Sequence, residues 1–193
     1  MLMYIHTMFI GYPIPMFRSH SFEPGRMNRL TNKVALLLAV LVLMSASTFA
    51  QGSSTSNILL DDLDGSSAKL SEYLRNGAVY MTFWALWCEP CKQELRALKS
   101  FAKEHADEPF TILAVNQDSP KSLAKVKAYV RSQGYPFSVV LDPNAQVFQA
   151  FNGQNLPFAV LINKDGEVVS TRTGYLPGDE KEIEKDILKL ISK

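Results

Sequence analysis

Apolar and polar residues alternate along the chain in stretches that predict strands and helices in turn. Six stretches have the length and composition of strands: NILLDD (57–62), AVYMTFWAL (78–86), FTILAVNQD (110–118), FSVVLD (137–142), FAVLIN (158–163) and EVVSTRT (167–173). The run AVYMTFWAL is continuously apolar, which is typical of a central strand covered on both faces. Between the last two strands, Lys164-Asp165-Gly166 contains the Asp-Gly step that predicts a hairpin turn.

Between these strands, apolar residues recur at helical spacing. Helices are predicted near residues 70–74, 90–105, 119–133 and 144–151. The last stretch, 178–193, predicts an amphipathic helix whose apolar face carries Ile183, Ile187, Leu188 and Ile191. Strands that alternate with helices and end in a hairpin and a helix predict an α/β fold, with a central mixed sheet and helices on both faces.

The region from Met27 to Ala50 has the layout of a secretory signal peptide. Arg29 and Lys33 precede an unbroken apolar run of eleven residues (34–44), and small residues follow it. A bilayer-spanning helix needs about 20 apolar residues, so cleavage after Ala50 is favoured over retention as an uncleaved membrane anchor. We therefore expect a periplasmic or secreted protein.

The predicted signal peptide also sets the boundaries of the segments before and after it. Residues 1–26 have neither helical nor strand periodicity, and a signal peptide should begin near the N-terminus. We hypothesise that translation starts at Met27 and that 1–26 is a mis-called extension; the alternative is an unusually long n-region. The Ser-rich residues 51–56 predict a flexible tail, and 57–193 the folded domain.

Composition and charge narrow the classes of partner. The 193 residues are 47% hydrophobic and 20% charged, which is ordinary for a globular protein. From Gln51 onward there are 16 basic and 18 acidic residues, so the net charge is 16 − 18 = −2, and no basic cluster is present. A nucleic-acid or anionic-lipid partner is therefore not expected. Nothing in the sequence demands an oligomer, so we expect a monomer.

Both cysteines of the chain lie in FWALWCEPCKQEL (83–95), with two residues between them. A purely structural bridge between Cys88 and Cys91 would close a very small loop and stabilise little. A zinc site would need two more ligands, and His105 is the only histidine after Ala50. At a helix N-terminus, backbone N–H groups and the helix dipole stabilise the Cys88 thiolate. A redox pair without metal or cofactor is the favoured interpretation.

These residues carry a family resemblance. The motif Trp87-Cys88-Glu89-Pro90-Cys91, followed by ILAVNQD, FSVVLD and LPFAVLINKDGEVV, resembles the TlpA/ResA-type branch of extracytoplasmic thiol–disulfide oxidoreductases. The resemblance implies a thioredoxin fold, with Cys88 as the exposed attacking cysteine and Cys91 as the buried resolving one. It also implies a cis peptide bond before Pro157, opposite the disulfide. Leu156 would then offer its backbone N–H and C=O to a client peptide.

Glu94 is the candidate proton carrier for the pair. It lies three residues after Cys91, on a helical stripe with Leu98 and Phe101 that is predicted to be buried. Burial would raise the pKa of this carboxyl group, and it could exchange a proton with the Cys91 thiol. Members of the resembled branch carry a glutamate here, whereas thioredoxin has a buried acid at the position of Thr82. The alternative is a solvated glutamate in the first turns of the helix.

Four further residues are expected to shape the site. Trp87 belongs either to an exposed apolar rim that partners touch or to a half-buried packing position. Glu89 and Pro90, between the cysteines, tune the pair. Phe158 follows the proline where many relatives have Thr, and we expect it to alter the substrate groove.

The expected function is the reduction of disulfides in client proteins, with a membrane thiol carrier as electron donor. Apocytochrome c maturation is the client process that the resemblance implies. The alternatives are an oxidant or isomerase that donates disulfides and a Cu(I)-binding module that uses both thiolates. The copper carriers add a histidine ligand, and His105, predicted midway along a helix, is badly placed for that role.

Overall fold

The computed structural model describes residues 55–192. The predicted extension, the signal peptide and the first four tail residues lie outside this range. Thr55 and Ser56, assigned from the sequence to the flexible tail, instead belong to a 3₁₀ helix, Thr55–Asn57. Thr55 Oγ1 donates a hydrogen bond to the Gly166 carbonyl, which ties this helix to the hairpin turn. Across 55–192, no helix is both long enough and apolar enough to cross a bilayer.

Seven strands form one mixed sheet in the order β2-β1-β5-β4-β3-β6-β7. The strands are β1 Leu59–Asp62, β2 Ser67–Lys69, β3 Ala78–Trp84, β4 Phe110–Asn116, β5 Ser138–Leu141, β6 Phe158–Ile162 and β7 Val168–Thr173. Strands β3, β4 and β5 are parallel, and every other neighbouring pair is antiparallel. The predicted mixed α/β sheet is thus confirmed.

Within residues 55–192, five α-helices connect or follow these strands. They are α1 Leu70–Tyr73, α2 Glu89–Glu104, α3 Leu123–Gln133, α4 Gln146–Ala150 and α5 Glu180–Ile191. Short 3₁₀ helices at Leu74–Asn76 and Pro120–Ser122 extend α1 and precede α3. The apolar face predicted for the last helix is present, since Ile183 and Ile187 are buried in the core.

Strand β3 divides the core into two layers. All seven of its residues are buried. Val79, Met81 and Phe83 face a cluster that includes side chains of α1 and α4. Tyr80 and Trp84 face clusters that include side chains of α2, α3 and α5. Helices therefore cover both faces of the sheet, as the continuous apolar run predicted.

One strand was not predicted. Strand β2 is three residues long and polar, and it pairs with β1 at the edge of the sheet. None of its three residues is buried. The sequence of β2 therefore lacks the alternation of apolar and polar residues from which a strand is predicted. It forms because the Asp64-Gly65 turn returns the chain alongside β1.

Candidate active site

The two cysteines lie where β3 ends and α2 begins. Cys88 is the N-cap of α2 and Cys91 lies in its first turn. The two residues are joined by a disulfide, with their Cα atoms 5.3 Å apart. The Cys91 backbone N–H donates a hydrogen bond to Cys88 Sγ at 3.3 Å. The helix N-terminus thus faces the sulfur as predicted, and the pair is in its disulfide form.

The expectation that Cys88 is exposed is wrong for this disulfide state. The Cys88 residue is only 4% exposed and Cys91 is fully buried. Both pack in an apolar cluster with Trp84 and Leu95, and Leu156 packs against the cluster. Cys88 is still the more accessible of the two residues.

A cis peptide bond joins Leu156 to Pro157, as predicted. The Pro157 carbonyl accepts a hydrogen bond of 2.8 Å from Gly174 N–H, which fixes the segment before β6 against the end of β7. An open groove of about 340 Å³ runs along this segment, and its lining includes Pro90, Leu156 and Leu176. The groove therefore joins the active-site helix to the cis-proline segment, where a client peptide is expected.

Phe158 does not shape that groove, contrary to expectation. Its side chain is 5% exposed and lies in the core. The ring centroid is 5.8 Å from that of Phe83 and 5.7 Å from that of Phe148. Side chains alternate along a strand, and the side chain of Phe158 points into the layer under α4.

Glu94 lies on the buried side of α2, with an exposed fraction of only 2%. Tyr80 Oη donates a hydrogen bond to Glu94 Oε1 at 2.9 Å, and Thr82 Oγ1 donates one to Oε2 at 3.2 Å. Both donors come from β3, two residues apart on the same face of the strand. Each oxygen of the carboxyl group thus has a protein donor, and the interpretation of Glu94 as a solvated residue is wrong.

Burial is the main cause of the unusual proton affinity of this group. It raises the pKa of Glu94 from 4.5 to about 7, although the hydrogen bonds from Tyr80 and Thr82 and the charge of Arg172 act in the opposite direction. Asp179 adds a smaller upward contribution. Burial, followed by the nearby Glu94 charge, raises the pKa of Tyr80 well above its usual value. Tyr80 therefore stays a donor while Glu94 changes protonation near neutral pH.

The remaining predicted site residues lie at the rim. Trp87 is 74% exposed, so it does not occupy the half-buried packing position, and its contact with partners stays a prediction. Glu89 is also exposed and forms ion pairs with Lys92 at 2.7 Å and Arg96 at 3.2 Å. Hydrogen bonds from these two cations lower the pKa of the Glu89 carboxyl group. Pro90 occupies the first turn of α2, where no N–H donor is needed.

His105 lies at the C-terminal end of α2, not midway along it as expected. It lies fourteen positions after Cys91, a rise of about 21 Å along the helix. Within residues 55–192, no group of three or more His, Cys, Asp or Glu side chains could hold a metal ion.

The sequence did not point to two groups that complete the site. Tyr80 lies in a continuously apolar strand, although Tyr80 and Thr82 are the only hydroxyl side chains of β3 and lie on the same face. Asp118 ends the motif ILAVNQD, one of the motifs that carry the family resemblance. Its Oδ2 accepts a hydrogen bond of 2.8 Å from the Leu86 N–H, in the turn that leads to Cys88.

A central mixed sheet, a Cys-x-x-Cys disulfide at the start of α2 and a cis-proline before β6 define the thioredoxin-fold class of redox proteins. The Redoxin family profile matches residues 44–187. The chain belongs to this family, as a ResA/TlpA-type thioredoxin-like thiol–disulfide oxidoreductase.

Individual relatives agree with this assignment. The chain is 36% identical over 129 residues to thiol-disulfide oxidoreductase ResA of Bacillus subtilis, covering 67% of this chain and 70% of that protein. It is 30% identical over 174 residues to ResA of Geobacillus kaustophilus, covering 85% and 98%. The exposed lipoprotein thioredoxin Etrx1 of Streptococcus pneumoniae superposes with a TM-score of 0.58 at 27% identity, covering 69% and 98%.

Proposed function

We propose that this protein reduces disulfides in client proteins outside the cytoplasm, through the Cys88–Cys91 dithiol. The observation that carries the direction is the burial of both cysteines, since Cys88 is 4% and Cys91 0% exposed. A thiolate loses solvation in an apolar cluster, whereas a disulfide or a neutral thiol carries no charge and loses little. Burial therefore withdraws thiolate stabilisation from the reduced form, which makes the couple more reducing.

The surrounding charges support the same direction. Lys92 and Arg96, the cations of the first turns of α2, are paired with Glu89 and are only partly available to a thiolate. A strong disulfide donor instead stabilises its reduced form. The opposing contribution is the helix N-terminus, whose Cys91 N–H contacts Cys88 Sγ.

The proposed reaction has two exchanges. The Cys88 thiolate attacks one sulfur of the client disulfide; a mixed disulfide forms and the other client sulfur leaves as a thiolate. Cys91 then gives its proton to the Glu94 carboxylate and attacks Cys88 Sγ, which releases the second client thiolate. The client gains two electrons and the protein ends as the Cys88–Cys91 disulfide. A membrane thiol carrier would return the two electrons.

The reduction potential of the Cys88–Cys91 couple, measured by equilibration with thiol buffers, tests the direction. A potential near or below about −230 mV supports a reductant. A potential near about −120 mV would instead support the disulfide-donating alternative.

The proposed location and client rest on the signal-peptide pattern of residues 27–50 and on the family resemblance. Haem attachment to a c-type apocytochrome uses a Cys-x-x-Cys-His segment, whose thiols must be reduced. A strain that lacks the gene should lose covalent haem in its c-type cytochromes and regain it when a small thiol is added. Labelling of the reduced protein in intact cells with a membrane-impermeant thiol reagent tests the location; protection until lysis would contradict it.

A further inference from the structure

The segment from Ala85 to Cys88 is a tight turn that presents both the attacking sulfur and the exposed tryptophan. The Cys88 N–H donates a hydrogen bond of 3.0 Å to the Ala85 carbonyl, which closes the turn. Trp87, between them, is 74% exposed. The orientation of Cys88 therefore depends on what fixes this turn from outside.

The turn packs on the apolar cluster below it, and a carboxylate outside the turn accepts a hydrogen bond from its backbone. Asp118 Oδ2 accepts the Leu86 N–H at 2.8 Å, at the second residue of the turn. The same oxygen accepts a hydrogen bond of 2.8 Å from Asn116 Nδ2. The Asp118 N–H in turn donates a hydrogen bond of 3.1 Å to Asn116 Oδ1. Asn116 is fully buried. The carboxylate is thus held by a buried amide on one side and holds the turn on the other.

This arrangement is anchored in the sheet. The Asn116 carbonyl accepts the Asp142 N–H at 2.8 Å, and Gln117 N–H donates to the Trp84 carbonyl at 2.9 Å. The Gln117 side chain reaches Asp142 Oδ2 at 3.1 Å. Hydrogen bonds therefore join the ends of β3, β4 and β5 directly behind the turn. Asp118 is the residue of this hydrogen-bonded group that reaches the turn itself.

We propose that Asp118 is a positioning residue for thiol–disulfide exchange, which fixes the Ala85–Cys88 turn by accepting the Leu86 N–H. In this role it acts through the turn and not directly on the sulfurs. The effect is the same for either direction of electron flow, because both directions need Cys88 Sγ aligned with the sulfur it exchanges with. The proposal therefore stands or falls separately from the assignment of the protein as a reductant.

The experiment compares Asp118→Asn with Asp118→Ala. The asparagine oxygen can still accept the Leu86 N–H, whereas alanine cannot. A misplacement of about 1 Å costs on the order of 100-fold in rate, so the exchange rate of D118A with a protein disulfide should fall about 10- to 100-fold while D118N stays close to the wild type. Amide hydrogen exchange at Leu86 should accelerate in D118A and remain slow in D118N.

Asp165→Asn is the matched control, because it removes one exposed carboxylate in the β6–β7 turn without touching the site. Folding of each variant is checked by urea unfolding, and Asp118→Leu, which has a similar shape and no acceptor, replaces D118A if the alanine variant does not fold. A folded D118A or D118L with wild-type exchange rate overturns the proposal. A folded D118N as slow as D118A also overturns it, because the hydrogen-bond geometry would then not be the cause.

Discussion

Thr82 Oγ1 on β3 donates a hydrogen bond of 3.2 Å to Glu94 Oε2 on α2, across the packed interface between sheet and helix. Thr82 occupies the strand position at which thioredoxin carries a buried acid. In this chain the helix supplies the buried carboxyl group and the strand supplies a donor to it. The buried carboxyl group that we propose as the proton carrier for the pair therefore has both of its oxygens held, by Thr82 and Tyr80.

The first prediction concerns the rate at which an external thiol reduces the disulfide form. When the thiol attacks Cys88, Cys91 leaves as a thiolate, and a protonated Glu94 can donate a proton to it. Because the pKa of Glu94 is raised to about 7, the rate constant per attacking thiolate should fall above that pH. Glu94→Gln should lower the rate at pH 6 by on the order of 100-fold and remove this pH dependence.

Glu104→Gln is the control for that measurement, because it removes an exposed carboxylate from the far end of the same helix. Stopped-flow reduction by dithiothreitol, from pH 5 to 9, gives both profiles. A Glu94→Gln profile that coincides with the wild-type profile would show that Glu94 does not take part.

The second prediction concerns stability. The folded disulfide form keeps the Glu94 proton up to about pH 7, whereas the unfolded chain releases it near pH 4.5. The folded state binds more protons between these values, so its free energy of unfolding falls as pH rises through this window. Relative to Glu94→Gln, the wild type should lose on the order of 3 kcal/mol between pH 4.5 and 7.

Urea unfolding of both variants, with the disulfide intact, measures this difference at each pH. Every other titrating group is present in both proteins and cancels in the comparison. Two stability curves that run parallel from pH 4.5 to 8 would contradict a raised Glu94 pKa.

Much of the fold follows from periodicity in the sequence, because its central strands are buried and its longer helices are amphipathic. What periodicity could not provide was the orientation of side chains inside strands that are buried on both faces. In β3 every residue is buried, so the pattern does not distinguish Tyr80, which faces α2, from Met81, which faces the other layer. The donors to Glu94 were missed for this reason.

In the candidate site, too, the sequence predicts where residues lie along the chain but not how their side chains pack. The positions of Cys88, Cys91 and Pro157 follow from local motifs, and the structure places them as expected. The burial of Cys88 and the inward orientation of Phe158 depend on contacts with residues distant in sequence, such as Leu156 and Phe148. No local pattern encodes such contacts.

The third prediction concerns Gly77, which precedes β3 and has a φ of 115°. A Cβ atom at this position would lie 1.8 Å from the Pro109 carbonyl oxygen. That oxygen accepts the Ala78 N–H at 3.1 Å, so Gly77→Ala would force apart the beginnings of β3 and β4. Gly65 is the matched control, since its φ is 91° but a Cβ would meet nothing within 4 Å.

Gly65→Ala should cost only the left-handed backbone strain of about 1–2 kcal/mol. Gly77→Ala should cost about 1–3 kcal/mol more, because overpacking is added to the strain. Urea unfolding at one pH measures both. Equal losses in the two variants would show that the Pro109 carbonyl moves away without cost.

The fourth prediction separates client recognition from stability at Trp87. Its side chain is 74% exposed, whereas that of Trp84 is fully buried. Trp87→Ala should therefore change the free energy of unfolding by less than about 0.5 kcal/mol, and Trp84→Ala should lower it by about 3–5 kcal/mol.

If Trp87 contacts clients, its truncation should lower kcat/KM toward a protein disulfide about tenfold, as loss of an aromatic interface anchor does. The rate with a small aromatic disulfide should stay unchanged, because that substrate needs only Cys88. Equal losses with the two substrates would mean that Trp87 acts on the sulfur chemistry and not on recognition.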